Sequence, residues 1–159
     1  MIFVTLGSQK FQFNRLLEKV DELIENSVIT DTVFAQTGVS DYQPRHYQHK
    51  AFLSRFEFEE VMNHCSIVIT HGGTGAIIGA VKKGKKVIAV PRLAKYGEHV
   101  DDHQLQLLNQ FEDSKLICVC YECEQLGDAF LQLRNISFHP YQSNTKKWLK
   151  ELETYINSV

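Results

Sequence analysis

Short apolar runs alternate with segments of helical periodicity along the whole chain. Ile2–Leu6 is apolar apart from Thr5, which predicts a strand buried on both faces. Phe13, Leu16, Leu17, Val20, Leu23 and Ile24 then recur at helical spacing. Thr32–Gln36 predicts a second strand, residues 37–50 a polar and aromatic loop holding Gly38 and Pro44, and Ala51–Leu53 a short third strand. Ser54 and Glu57 stand at capping-box spacing ahead of a helix with Phe58, Val61 and Met62 on one face. Strands are expected over Ser66–Thr70, Lys86–Val90 and Leu116–Cys120, and helices over Thr74–Lys83, Asp101–Glu112 and Glu122–Arg134. A last helix, from about Tyr141 to Ile156, sets Trp148, Leu149, Leu152, Tyr155 and Ile156 on one stripe.

Nearly unbroken apolar strands separated by helices belong to a parallel sheet covered on both faces. The predicted class is therefore α/β, a Rossmann-like open parallel sheet with helices on both faces and ligands at the carboxyl ends of its strands. No repeat, linker or low-complexity tract interrupts residues 1–159, so a single domain is expected.

Composition narrows the function. The chain has 159 residues, 43% hydrophobic and 23% charged, with a formal net charge of -2. That leaves no basic field, and no nucleic acid partner is expected. No apolar run approaches the roughly 20 residues that span a bilayer. Met1 leads straight into an apolar strand with no basic segment or cleavage site, so a cytoplasmic location is expected. Cys65, Cys118, Cys120 and Cys123 form no disulfide framework. The Cys118-to-Cys123 run invites a metal. However, Cys118 and Cys120 alternate with Ile117 and Val119, and Cys123 shares a helical stripe with Leu126, Phe130 and Leu133. Packing accounts for that pattern better than a zinc site, which needs paired ligand spacings.

Three loops after strands carry the chemistry. In Thr5-Leu6-Gly7-Ser8-Gln9, a glycine lets the backbone turn tightly beside a ligand, and Ser8 is placed to cap the next helix. His71-Gly72-Gly73-Thr74-Gly75 opens a helix after a buried strand, and its bare amides form a phosphate cradle. Gly75 and Gly79, one turn apart, would also bring that helix close to the sheet. No Gly-Lys-Ser/Thr follows, and the next strand ends in Pro91-Arg92 without a ribose-binding acid. The motif thus indicates phosphate without nicotinamide. A tight structural turn is the alternative for both glycine loops. The third loop runs from Pro91-Arg92 to Glu98-His99-Val100-Asp101-Asp102-His103-Gln104. Asp101 is expected to cap a helix with Gln104 at its third position, and adjacent Asp101, Asp102 and His103 splay too far apart for a metal.

Together these segments resemble the C-terminal domain of family 28 glycosyltransferases, and among them most the short proteins of bacterial capsule and exopolysaccharide clusters. The likeness runs from Met1 to about Arg134. It rests on the glycine loop, on Gly84-Lys85-Lys86-Val87-Ile88 and Val90-Pro91-Arg92, and above all on Glu98–Gln104.

The resemblance implies one donor-binding half of a GT-B enzyme split over two chains, bound for a UDP-sugar donor and a lipid-linked saccharide acceptor. Galactose is the favoured hexose and glucuronic acid the alternative. The partner would be a membrane-associated acceptor-side glycosyltransferase subunit, which would hold this chain peripherally at the inner face of the membrane. Carried onto this sequence, Gly7, Ser8, His71, Gly72, Gly73, Thr74 and Gly75 would hold the diphosphate. Asp102, His103 and Gln104 would face sugar and ribose. Glu98 and His99 would line the same mouth as candidate catalytic groups, and uracil would lie near Phe52–Phe56. No cofactor and no metal are implied, since the phosphates would rest on backbone amides. Many relatives carry a ribose-binding glutamate where this chain has Gly79, so ribose recognition must come from elsewhere or be weaker. The competing reading is a non-catalytic nucleotide-binding module that enhances a catalytic partner. A free-standing phosphate-binding hydrolase ranks last, for lack of a nucleophile elbow.

Overall fold

The computed structural model describes residues 1–143 and 145–156; in the closing helix, side chains are described at 149, 150 and 153–156. The chain runs β1 (Ile2–Thr5), α1 (Asn14–Glu25), β2 (Val33–Gln36), β3 (Gln48–Lys50), α2 (Arg55–His64), β4 (Ile67–His71), α3 (Thr74–Lys82) and β5 (Lys86–Val90). It continues through a 3-10 turn (Ala94–Tyr96), α4 (His103–Asp113), β6 (Cys118–Val119), a second 3-10 turn (Cys123–Gln125), α5 (Leu126–Gln132) and α6 (Thr145–Ile156).

The strands form one six-stranded sheet in the order β3-β2-β1-β4-β5-β6. Every pairing is parallel, as the unbroken apolar strands predict. The two-residue period of a strand sends neighbouring side chains to opposite faces. Ile2, Val4, Ile69, Ile88 and Val90 therefore pack with Leu16, Leu17 and Val20 of α1 and with Leu126 and Phe130 of α5. Phe3, Val68, Val87 and Ala89 pack on the other face with Met62, Ile77, Ala80 and Leu108. Strand order reverses between β1 and β4, so the loops after these strands diverge and open a crevice at the carboxyl edge.

Asp21, buried on α1, ties down the long segment after β2. Its carboxylate accepts from the Tyr42 hydroxyl at 2.8 Å and from the amides of Arg45 and His46 at 2.8 and 2.9 Å. Burial opposes its ionisation, but those donors outweigh burial and hold the carboxyl below its usual range.

Several boundaries depart from the sequence pattern. The third strand is Gln48–Lys50, inside the expected loop, while Ala51–Leu53 is not a strand. It is a polar, exposed edge strand, defined by its pairing with Phe34–Gln36 and not by apolar alternation. Ser8 does not cap α1, which starts at Asn14 with Phe13 at the N-cap position. The fourth helix starts at His103, two residues later than expected, with Asp102 in place of Asp101 at the N-cap position; Asp101 Oδ1 still accepts the His103 amide at 3.0 Å. The expected helix over Glu122–Arg134 is split into the second 3-10 turn and α5. A Cβ on Gly75 or Gly79 would meet nothing within 4 Å, so these glycines do not bring α3 onto the sheet. The Ser54–Glu57 capping box is present in full. Cys120 and Cys123 lie in the core beside Leu126, Phe130 and Leu133. The side chains of Trp148 and Leu152 lie outside the described residues; Leu149, Tyr155 and Ile156 are exposed. Among the described residues no helix is long and apolar enough to cross a membrane.

Candidate functional site

The crevice at the strand-order reversal is a cavity of about 520 Å³. Gly7, Ser8 and Gln9 border it from the loop after β1, and His71, Gly73, Thr74 and Gly75 from the end of β4 and the start of α3. Two of the three loops singled out in the sequence thus converge on one cavity. The first-turn amides of α3 open into it beside the glycines, an arrangement suited to an anion.

The glycines serve each other's neighbours as much as the cavity. Gly7 sits at φ +71, in the left-handed region, and a Cβ there would stand 2.7 Å from Cε1 of His71. A Cβ on Gly73 would also collide with the His71 ring, and one on Gly72 would stand 2.8 Å from Oε1 of Gln104. Gly75 alone of the loop's glycines faces open space.

His71, 6% exposed, is therefore clasped between the Gly7 and Gly73 backbones. Its Nδ1 lies 3.4 Å from Thr70 Oγ1 and 3.5 Å from the Thr5 carbonyl. Burial, and next the charge of Arg92, push its pKa down to about 4. The ring is neutral near pH 7 and acts as a hydrogen-bonding wall, not a cation.

The third loop does not line the cavity; it braces it from behind. Gln104 is 6% exposed, and its Oε1 accepts the amides of both Gly72 (3.1 Å) and Arg92 (3.0 Å). Glu98 is 1% exposed. It holds Arg15 at 2.7 and 3.0 Å and accepts the Leu93 amide at 3.0 Å. Arg15 also reaches the Pro91 carbonyl at 2.7 Å and Cys123 Sγ at 2.9 Å. That engagement removes Glu98 from the candidate bases and makes it a structural anion. Asp102 is exposed and its Oδ1 accepts the Ala94 amide at 2.8 Å, while His103 is exposed. His99 is half-buried against the Phe11 ring, with Nδ1 3.1 Å from both the carbonyl and Oδ1 of Asp101. The Asp101 amide also donates to Nδ1 at 3.3 Å, so Asp101 orients the ring through both its backbone and its carboxylate.

The wall opposite the glycine loops includes Leu53 and Arg55, from the Phe52–Phe56 stretch expected near uracil, together with residues not singled out as site residues in the sequence, Gln36, Phe58 and Glu59. Phe52 and Phe56, by contrast, point elsewhere and are exposed. Arg55 makes no hydrogen bond or ion pair among the described residues, while Glu59 is tied to Lys83 at 2.8 Å. The Ser54–Glu57 capping box was the available signal: it puts Arg55 and Phe58 in the first turn of a helix at the ligand-binding edge. Among the described residues no group of three His, Cys, Asp or Glu side chains is placed to hold a metal. A further cavity of about 370 Å³, lined by Lys85, Lys86 and Ile136–Pro140, lies at the amino end of β5, away from the crevice.

Comparison with known proteins shows the family and the fold. The family described as "Glycosyltransferase family 28 C-terminal domain" matches residues 1–158. A stretch of 67 residues is 34% identical to the UDP-N-acetylglucosamine transferase subunit ALG13 of Kluyveromyces lactis, and covers 39% of this chain and 32% of that protein. Among solved structures, MurG of Acinetobacter baumannii is similar with a TM-score of 0.60 at 18% identity, over 84% of this chain and 41% of that one. A solution structure of ALG13 has a TM-score of 0.60 at 16% identity, over 95% of this chain and 93% of that one. At these identities the structural likeness speaks to the fold.

Proposed function

The chain belongs to the glycosyltransferase family 28 C-terminal domain family, and from that premise we propose that it is the donor-binding subunit of a two-chain glycosyltransferase using a UDP-sugar. The observation that carries the reading is the crevice itself. Two glycine loops and a helix N-terminus face one cavity large enough for a nucleotide, opposite a wall with Leu53, Phe58 and an unengaged Arg55. Backbone amides at Gly7–Ser8 and Gly73–Gly75 would hold the diphosphate and stabilise it as it departs. The nucleoside would extend along the Leu53–Phe58 wall. The two hydroxyls of ribose would find Gln36 and Glu59 on that side, since Gly79 offers no side chain.

Sugar transfer also needs a base for the acceptor hydroxyl. His99, oriented by Asp101, is the group on this chain best suited to it. The acceptor side would come from a membrane-associated partner subunit carrying a lipid-linked saccharide, with this chain held at the membrane through that partner. In this reading 1–159 acts as one donor-binding unit, and α6 docks the partner through the exposed Leu149 and Ile156. The relative's name specifies UDP-N-acetylglucosamine, which makes that donor the first to test. UDP-galactose, in capsule or exopolysaccharide synthesis, is the second.

The experiment is calorimetry of UDP, UDP-N-acetylglucosamine and UDP-galactose on the isolated chain, followed by transfer assays with and without the partner. Binding of UDP together with partner-dependent transfer is expected. A chain that binds no UDP, alone or in complex, would sink the proposal. Undiminished transfer by the partner when this chain carries a blocked crevice would favour a non-catalytic enhancer.

A further inference from the structure

Arg92 is the largest fully buried side chain among the described residues, 1% exposed, at the end of β5 directly behind the crevice. Its backbone amide shares the Gln104 carbonyl oxygen with Gly72, which ties it to the glycine loop. Its Nη2 donates to the carbonyls of Leu6 and Phe11, at 2.9 and 3.1 Å. These two residues flank the Gly7–Lys10 turn, so the guanidinium lies beneath the loop after β1. Its face rests on the Phe13 ring, 5.5 Å from the centroid. Both phosphate-facing loops therefore meet over one buried cation.

That cation has no counter-ion of its own among the described residues. Nε and Nη1 of Arg92 have no hydrogen-bond partner among the described residues. The nearest buried carboxylate, Glu98, is already held by Arg15 through two hydrogen bonds. Two guanidinium groups thus share one carboxylate, leaving a net positive charge under the crevice. A buried charge without a partner is costly, and a fold retains it where something else supplies the opposite charge. The influence of Arg92 reaches the crevice wall, because its charge is the second cause, after burial, of the depressed pKa of His71.

We propose that the diphosphate of the bound nucleotide is the missing counter-ion, and that Arg92 is a positioning residue that selects diphosphate through its charge without touching the ligand. Its guanidinium holds the loop after β1 by hydrogen bonds, its amide is clipped to the glycine loop through Gln104, and its charge gives the cradle a positive potential that backbone amides alone do not supply. Selectivity for nucleoside diphosphate over free nucleoside then originates behind the loops. This rests on the reading of the crevice as a nucleotide-diphosphate site.

The test compares UDP and uridine on the full chain, by NMR titration and calorimetry, in wild type, Arg92→Gln and Arg92→Lys. Glutamine carries no charge, and its amide stops two bonds short of the Nη2 that reaches the Leu6 and Phe11 carbonyls, so it removes tethers and charge together; lysine keeps the charge. Arg92→Gln is expected to weaken UDP about tenfold or more while uridine changes little. The pKa of His71 should rise from about 4 in the same variant, because a repelling charge has gone. Arg92→Lys should retain the preference for UDP over uridine and the low His71 pKa. Unchanged UDP affinity in folded Arg92→Gln, or equal weakening of UDP and uridine, overturns the proposal. If the glutamine variant does not fold, the lysine variant decides: a folded lysine chain that has lost the preference overturns it, and one that keeps it supports it. A wild-type chain that binds no UDP would overturn the nucleotide reading itself, a distinguishable result.

Discussion

Gln104 Oε1 accepts the Gly72 amide at 3.1 Å and lies 2.8 Å from where a Cβ on Gly72 would stand, so the close approach needs a glycine there. The same oxygen accepts the Arg92 amide, which makes Gln104 a clip between the loops after β4 and β5. Its placement in the first turn of α4 suggested a sugar contact, but the structure commits its oxygen to the backbone. Gln104→Ala would strand two buried amides, each worth about 1–3 kcal/mol. A loss of about 2–4 kcal/mol in urea unfolding is expected, together with weakened UDP binding. A variant of wild-type stability would show that water replaces the clip.

Gly75 is the position where the cavity can be blocked without disturbing its walls. A side chain there meets nothing within 4 Å, whereas Gly73→Val would drive into the buried ring of His71. Gly75→Asp places a carboxylate in the first turn of α3, which favours the helix by about 0.3–1 kcal/mol. The same charge would repel a diphosphate. Unchanged or raised melting temperature with at least about tenfold weaker UDP binding is expected. Wild-type affinity in this variant would place the phosphates elsewhere.

The depressed pKa of His71 sets a pH dependence with a definite sign. Between the ordinary value of 6.5 and the folded value of about 4, the unfolded chain binds a proton that the folded chain does not. Stability from this group is therefore full above pH 6.5 and declines as pH falls towards 4. The gap corresponds to about 3 kcal/mol. Urea unfolding at a series of pH values should show that decline, and His71→Gln should flatten it. An NMR titration of His71 near pH 6.5 would contradict the buried, neutral ring.

Backbone amides, not a metal, are expected to carry the phosphates. Transfer reconstituted with the partner subunit should survive EDTA. Activity lost to the chelator and restored by magnesium or manganese would return Asp101 and Asp102 to consideration as ligands.

Every described side chain of α6 is exposed, Leu149 and Ile156 among them. Tyr141, which precedes the helix, is packed on the core, with Lys82 over its ring at 5.4 Å. Deleting 144–159 should therefore leave the melting temperature within a few degrees of wild type and abolish capture of the partner subunit. Full capture by the folded, shortened chain would move the docking surface to the crevice face.

The sequence by itself determined the parallel α/β architecture and the two glycine loops. Both are written locally: β1, β4 and β5 are apolar on both faces because both faces are covered, and a glycine-rich strand-to-helix junction exposes amides in any fold of this kind. It also marked Glu98–Gln104 as unusual. Only the tertiary structure decided what those residues do. Glu98 and Gln104 look like ligand contacts in a polar loop, yet the loop folds back so that both are buried and hold backbone and Arg15. Arg92 reads as the end of a strand, but its partners Leu6 and Phe11 are 86 and 81 residues away. The edge strand β3 carries no periodic signal, because pairing with β2 defines it, and the helix pattern that holds Arg55 and Phe58 does not say that they face the crevice. Burial and long-range hydrogen bonding are properties of the packed chain, and no local pattern encodes which polar residue ends inside.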